Sequence, residues 1–192
     1  MTSLYVICDS YGQTTPNFAA VMAARLGYTL TLDAQGGTSY FFGGAGHTFR
    51  ERVPAAVAAN PDIVMVAGSV NDRWETPASV AAEALLTWAA LAAIPKRYAA
   101  LFCTSDGWAN CGPTTMAPYA VALAAAAKSV GVIFISGVGW IAGTGTVAAP
   151  TGDGNGDVYA AADDVHPTGT GGSYLGTRLA FAISPPSTGL DY

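Results

Sequence analysis

Cysteine, histidine and basic residues are scarce in this chain of 192 residues, and each shortage removes a class of function. Three cysteines make no disulfide framework, and no CxxC pair marks a metal site. Cys103 and Cys111 flank a glycine-containing loop. That spacing fits a bridge in an oxidising setting and fits two thiols near one strand end equally well. Only His47 and His166 are available to any mechanism that uses imidazole as a base. Lysine and arginine together number 8 against 13 acidic residues, a net charge of -5, and the basic residues are scattered from Arg25 to Arg178. Binding to duplex nucleic acid or to an anionic membrane needs clustered cations, so neither partner is expected.

Long apolar runs are missing too. No stretch approaches the ~20 strongly apolar residues that span a bilayer, and the start, Met1-Thr2-Ser3-Leu4-Tyr5-Val6-Ile7, has no basic segment leading into an apolar one. The sequence therefore predicts no membrane span and no signal peptide. The Gly-x-Ser-x-Gly nucleophile elbow, the GxGxxG fingerprint and the P-loop are all absent, and neither Lys96 nor Lys128 follows a glycine.

Hydrophobic residues make up 51% of the chain and charged residues 11%, which excludes disorder and implies a large core. The length suits one domain. Short β-rich runs alternate with helical ones. Strands are expected at 4–7, 28–32, 63–66, 98–103 and 132–135, the last three as buried strands. Helices are expected at 16–26, 48–59, 78–92, 116–130 and 172–183. Pro16 and Gly27 bracket the first helix. Thr48 and Glu51 form a capping box on the second. Val80, Ala84, Leu85, Trp88 and Leu91 give the third an apolar stripe. Five strands alternating with helices predict a parallel sheet covered on both faces, with ligands bound beyond the carboxyl ends of its strands.

Four blocks fall at those ends. Cys8-Asp9-Ser10-Tyr11-Gly12 follows the first strand and aims a hydroxyl into the crevice near a helix start; it also reads as ordinary turn chemistry. Gln35-Gly36-Gly37-Thr38-Ser39 lets backbone N–H groups approach a ligand, or serves as a loop needing positive φ. Gly68-Ser69-Val70-Asn71-Asp72 offers a side-chain amide donor, or an Asx turn. In Asp163-Asp164-Val165-His166-Pro167, the carboxylate three residues before the histidine is placed to accept its Nδ1–H and fix the tautomer.

In this order and placement the blocks resemble the SGNH (GDSL-type) hydrolases, serine esterases and lipases with a flavodoxin-like three-layer α/β fold. The resemblance covers nearly the whole chain. It implies that residues 1–192 form one SGNH hydrolase-like domain, an α/β/α sandwich on a five-stranded parallel sheet. It also implies a Ser-His-Asp mechanism, with Ser10 as nucleophile, His166 as base and Asp163 as orienting acid. Asp164 is the more obvious neighbour, but the spacing favours Asp163. The oxyanion hole maps to the Ser10 amide, Gly36 and Asn71, with Gly37 as the fallback for Gly36. Tyr11, Gly37, Trp74 and Val165 are candidates for touching the substrate, and no metal or cofactor is implied. The substrates so implied are acetyl or short-to-medium acyl esters of carbohydrates or lipids. Two departures sit beside the site: Cys8 replaces the glycine that usually opens the first block, and Ser69 occupies the glycine position of the third.

Other readings compete. Asp153-Gly154-Asn155-Gly156-Asp157 matches the opening of a calcium loop, but Val158 replaces the required glycine, so a glycine-rich connector is the better reading. His47 reads as loop packing or pocket lining. Phe41, Phe42, Trp74, Trp108 and Trp140 fall at the expected rim, where aromatic walls suit an acyl chain or a sugar face as readily as they fill a core. The functional alternative is a weakly active or non-catalytic carbohydrate-binding or adhesion module of a larger secreted, surface or phage tail protein. The glycine-rich style is similar to that of actinobacterial and actinophage members of the family.

Overall fold

A computed structural model describes residues 1–44, 46–68, 70–104, 111–141 and 156–184. Five strands, β1 (Ser3–Cys8), β2 (Thr29–Ala34), β3 (Ile63–Ala67), β4 (Lys96–Phe102) and β5 (Ile133–Gly137), make one sheet. Its order is β2-β1-β3-β4-β5, and every pairing is parallel. The helices are α1 (Phe18–Leu26), α2 (Phe49–Ala59), α3 (Pro77–Ala90), α4 (Pro113–Ser129), the short α5 (Gly156–Tyr159) and α6 (Gly169–Ile183).

The direction of winding reverses after β2. With right-handed crossovers, that reversal puts α1 on one face of the sheet and α2 to α4 on the other. Accordingly α1 packs with α6, while α2 meets α3 and α3 meets α4. The same reversal opens a crevice beyond the carboxyl ends of β1 and β3. The sandwich is the predicted flavodoxin-like one.

Burial follows strand position. Leu4 to Cys8 of β1 and all of β3 are buried, as continuous apolar strands between two helical layers must be. The expectation of a buried last strand is corrected: β5 is an edge, and its Ile133 is 55% exposed. Local chemistry sets several helix starts. Thr48 accepts from the Glu51 amide, and Glu51 returns the contact to the Thr48 amide at 2.8 Å, a capping box worth about 1 kcal/mol. The first helix begins at Phe18 rather than at Pro16, because the Asn17 side chain caps the Ala20 amide at 2.8 Å. Its end at Gly27 is as expected, with the glycine left-handed at φ 66°.

Small residues let α6 approach α1. A methyl group on Gly176 would meet the Phe18 carbonyl and lie 2.7 Å from Val21 Cβ, and one on Gly172 would meet the Pro16 carbonyl. This close packing matters to the site, because the segment immediately before α6 carries His166.

Candidate active site

Ser10 stands directly beyond β1 and opens a single 3-10 turn, Ser10–Gln13. Asp9, fully buried, caps that turn by accepting the Tyr11 amide at 2.9 Å, while its carbonyl accepts the Gly12 amide at 3.1 Å. Cys8 points inward. Its thiol lies where a Gly12 side chain would go, and burial, with the Asp9 charge, pushes its pKa well up. A neutral buried thiol is no nucleophile. Ser10 keeps partial exposure.

His166 arrives from the far end of the chain on a tight loop. Ala160 and Pro167 pair as an antiparallel bridge, and the Ala161 amide donates to the His166 carbonyl at 2.8 Å. Inside the loop, Asp163 Oδ1 accepts the amides of Val165 and His166, both at 3.0 Å, which frees Oδ2 to face the ring. Oδ2 lies 2.6 Å from His166 Nδ1, and His166 Nε2 lies 2.8 Å from Ser10 Oγ. Partial burial alone would raise the Asp163 pKa. The hydrogen bonds from the His166 amide and ring and from the Val165 amide outweigh it and hold the carboxyl below its ordinary value. An ionised carboxylate only accepts, so Nδ1 carries the ring proton and Nε2 is left to accept from the Ser10 hydroxyl. The pair is half open to water, with side chains 39% and 47% exposed for His166 and Asp163.

The loop is pinned from the sheet. Thr104, buried just beyond β4, donates its hydroxyl to the carbonyl of Asp164, with the Val165 carbonyl 3.3 Å away, and Cys111 Sγ lies 3.7 Å from the Asp164 carbonyl. Asp164 is left-handed at φ 57°, and the carboxylate that meets His166 belongs to Asp163.

The glycine and asparagine blocks meet through backbone. Asn71 Nδ2 donates to the Thr38 carbonyl at 3.0 Å, and because an amide nitrogen carries two hydrogens, a second remains for a ligand. Gly37, at φ 71°, shares with Asn71, Phe42 and Trp74 a cleft of about 270 Å³, whereas Gly36 sits against the Gln13 side chain. Gly68 has φ 137°, a region that excludes most side chains, and a methyl there would strike the Asp9 carboxylate. The third block therefore holds its glycine at 68; Ser69 lies outside the described residues.

Two buried charges escaped sequence reasoning. Asp72 accepts from Ser39 Oγ at 2.6 Å, the Tyr40 amide at 3.1 Å and the Phe41 amide at 3.0 Å, which fixes the loop after β2. Arg52 of α2 donates to the Asp33 carboxylate and carbonyl at 3.0 Å, to the Cys8 carbonyl at 3.0 Å and to Thr38 Oγ1 at 3.1 Å. The available signal was a charged residue at an apolar position of α2, and an aspartate directly after Asn71.

Of the candidate substrate contacts, Tyr11 requires correction. The residue is 1% exposed, its ring stacked 6.5 Å from Phe102 and tilted 6.3 Å from the His166 ring, because the 3-10 turn rotates it into the core. Val165 is half-buried against the core, and Trp74 is 67% exposed. Trp140 packs beside Phe102 and Arg178, and His47 is exposed. Trp108 and most of the 153–157 calcium-type loop lie outside the described residues. Among the described residues, no cluster of three His, Cys, Asp or Glu side chains suits a metal, and no helix is long and apolar enough to cross a membrane. Cys103 and Cys111 are buried thiols.

A family model described as GDSL-like Lipase/Acylhydrolase matches residues 4–172. Among solved structures, a lipase/acylhydrolase from Enterococcus faecalis superposes with a TM-score of 0.72 at 14% identity, covering 95% of each chain. An acetyl xylan esterase, AlAXEase, gives 0.71 at 15% identity, over 94% of this chain and 99% of that one. A carbohydrate esterase family 2 enzyme from Corynascus thermopiles (Myceliophthora fergusii), which also carries a carbohydrate binding domain, gives 0.68 at 16% identity. It is covered over 65% of its length by 95% of this chain. At such identities the likeness speaks for the fold. No curated protein sequence matches the chain.

Proposed function

The chain belongs to the GDSL-like lipase/acylhydrolase family and is a carboxylic ester hydrolase, and we propose that it works through a Ser10–His166–Asp163 acyl-enzyme mechanism on acetyl or short-to-medium acyl esters of carbohydrates or lipids. The observation that carries this reading is the unbroken hydrogen-bonded line from Asp163 through His166 to Ser10. His166 Nε2 takes the Ser10 proton as Oγ attacks the ester carbonyl. The tetrahedral oxyanion is held by the Ser10 amide, the remaining Asn71 N–H, and an amide of the glycine pair. Gly36 is the sequence-based choice there, and Gly37 is the one that shares the Asn71 cleft. His166 then protonates the departing alcohol, the ester C–O bond breaks, and a water repeats the attack on the acyl-Ser10 ester to release the acid and restore the hydroxyl. Carbohydrate esterases among the structural neighbours support including sugar esters in the substrate range.

Hydrolysis of p-nitrophenyl acetate by the wild type, Ser10→Ala and Asn71→Ala tests the assignment. Ser10→Ala should abolish turnover. Asn71→Ala should lose about 10²–10³ in kcat while remaining folded. Equal rates for wild type and Ser10→Ala would remove the serine mechanism, and an unchanged kcat for Asn71→Ala would remove that residue from the oxyanion hole.

A further inference from the structure

Trp74 stands three residues beyond Asn71 and is 67% exposed, yet its position is fixed. The Arg73 guanidinium carbon lies 4.9 Å from the indole centroid, and Arg73 Nη1 donates to the Val70 carbonyl at 3.2 Å. The backbone on either side is tied to α4, because the Tyr119 hydroxyl lies 3.0 Å from the Arg73 carbonyl and 2.6 Å from the Glu75 carbonyl. With the cation against one face, the exposure belongs to the rest of the ring. The indole is thus a held, open platform at the edge of the cleft it shares with Asn71 and Gly37.

The shape of that platform discriminates between the halves of an ester. An acyl chain gains most when apolar walls surround it on all sides, whereas the apolar lining of this cleft is the Trp74 indole and the partly exposed Phe42 ring, beside Gly37, Asn71 and Arg73. A pyranose has an apolar C–H face to lay on an aromatic ring and hydroxyls that remain in water, so it loses little by standing in an open cleft. Charge points the same way: with 8 basic against 13 acidic residues, the chain has no general attraction for anionic lipid surfaces. Building on the serine-esterase reading above, we infer that Trp74 is the stacking platform for the sugar ring of the alcohol half, and that O-acylated sugars are the preferred substrates.

The test uses wild type, Trp74→Ala and Trp74→Phe with three substrates: mono-O-acetylated methyl β-D-glucopyranoside, ethyl acetate and ethyl octanoate. The first two share an acyl group and a leaving alcohol of similar type, so the ratio of their kcat/KM values isolates the ring. That ratio should fall about tenfold in Trp74→Ala, through KM, and largely recover in Trp74→Phe. An unchanged ratio overturns the inference. A fall confined to octanoate relative to acetate also overturns it, because the indole is then an acyl wall. Ser10→Ala, run on the same substrates, separates the two levels: loss of all three activities leaves the mechanism standing whatever Trp74 does, and retained hydrolysis breaks the mechanism itself.

Discussion

Replacing Asp163 with asparagine keeps the shape of the side chain but exchanges one carboxylate oxygen for an NH2 donor and removes the charge, which makes it the sharpest probe of the His166 tautomer. The Asn carbonyl oxygen can take the place of Oδ1 and keep the amides of Val165 and His166, both now at 3.0 Å, so the loop should hold its shape. The amide NH2 then falls opposite Nδ1, where a carboxylate oxygen now lies at 2.6 Å. Two donors cannot face each other, so the ring proton moves to Nε2 and the base on Ser10 is lost. In a fully buried triad the equivalent change costs about 10⁴ in kcat. Here the two side chains are 39% and 47% exposed, and water can help restore the correct tautomer, so the expected loss is about 10³, or about 4 kcal/mol of barrier. Asp164→Asn is the matched control. Its backbone is left-handed at φ 57°, a conformation asparagine accepts, and the carboxylate that faces the ring is not its own. Single-turnover acylation by p-nitrophenyl acetate measures both. A loss below about threefold in Asp163→Asn, or an equal loss in Asp164→Asn, would refute the reasoning.

Thr104→Val removes the hydroxyl that pins the partly buried Asp164 and Val165 carbonyls. It should lower kcat about tenfold with little change in KM, and Thr104→Ser should restore the rate. Gly176→Val drives a branched side chain into the Phe18 carbonyl and Val21. Overpacking of about 1–3 kcal/mol outweighs the roughly 0.5 kcal/mol of helix propensity gained, and calorimetry should show Tm lowered by several degrees. An unchanged Tm would mean that α1 and α6 separate freely. Acid should also destabilise the fold. Glu51 is held below its ordinary 4.5 by the Thr48 amide and hydroxyl, and Asp62 below 3.8 by the Ser3 amide and hydroxyl. Asp163 is lowered as well. Carboxyls depressed on folding contribute stability above their unfolded values and lose it as pH falls through the folded ones. Tm should therefore drop as pH is taken from about 5 to about 3, and less steeply in Asp62→Asn.

What could be read in the sequence was local. The apolar runs of β1 and β3, the Thr48–Glu51 box and the glycine at 27 declare themselves within a few residues, and each appears where expected. The three-residue step from Asp163 to His166 belongs to the same class, since one turn of loop delivers the carboxylate to the ring. Sheet position is another matter. The run at 132–135 is as apolar as the others, but it becomes an edge because, among the described residues, no later strand pairs beside it in the winding order. Tyr11 looked like a cleft residue from its place after Ser10, and the 3-10 turn rotates it inward. Buried charge was the least legible of all. Arg52 stands at an apolar position of α2 and Asp72 directly follows Asn71, but the hydrogen-bond partners that make their burial possible lie 14 to 44 and 31 to 33 residues away.

Those distant partners explain how surface loops can hold a site to within hydrogen-bonding distance. Among the described residues, the loops that carry Ser10, the glycine pair and His166 are each tied by a polar group buried at a strand end or in the adjoining helix. Asp9 caps the Ser10 turn, Arg52 and Asp72 fasten the glycine loop, and Thr104 holds the His166 loop. An unpartnered buried polar group costs about 1–3 kcal/mol, so a loop that drifts from its anchor loses that much at once. These loops are therefore specified by the sheet beneath them, and the Cys8 departure from the family pattern fits within that scheme. Cys8 fills the space over Gly12, and Gly68 supplies the φ of 137° demanded beside the Asp9 anchor.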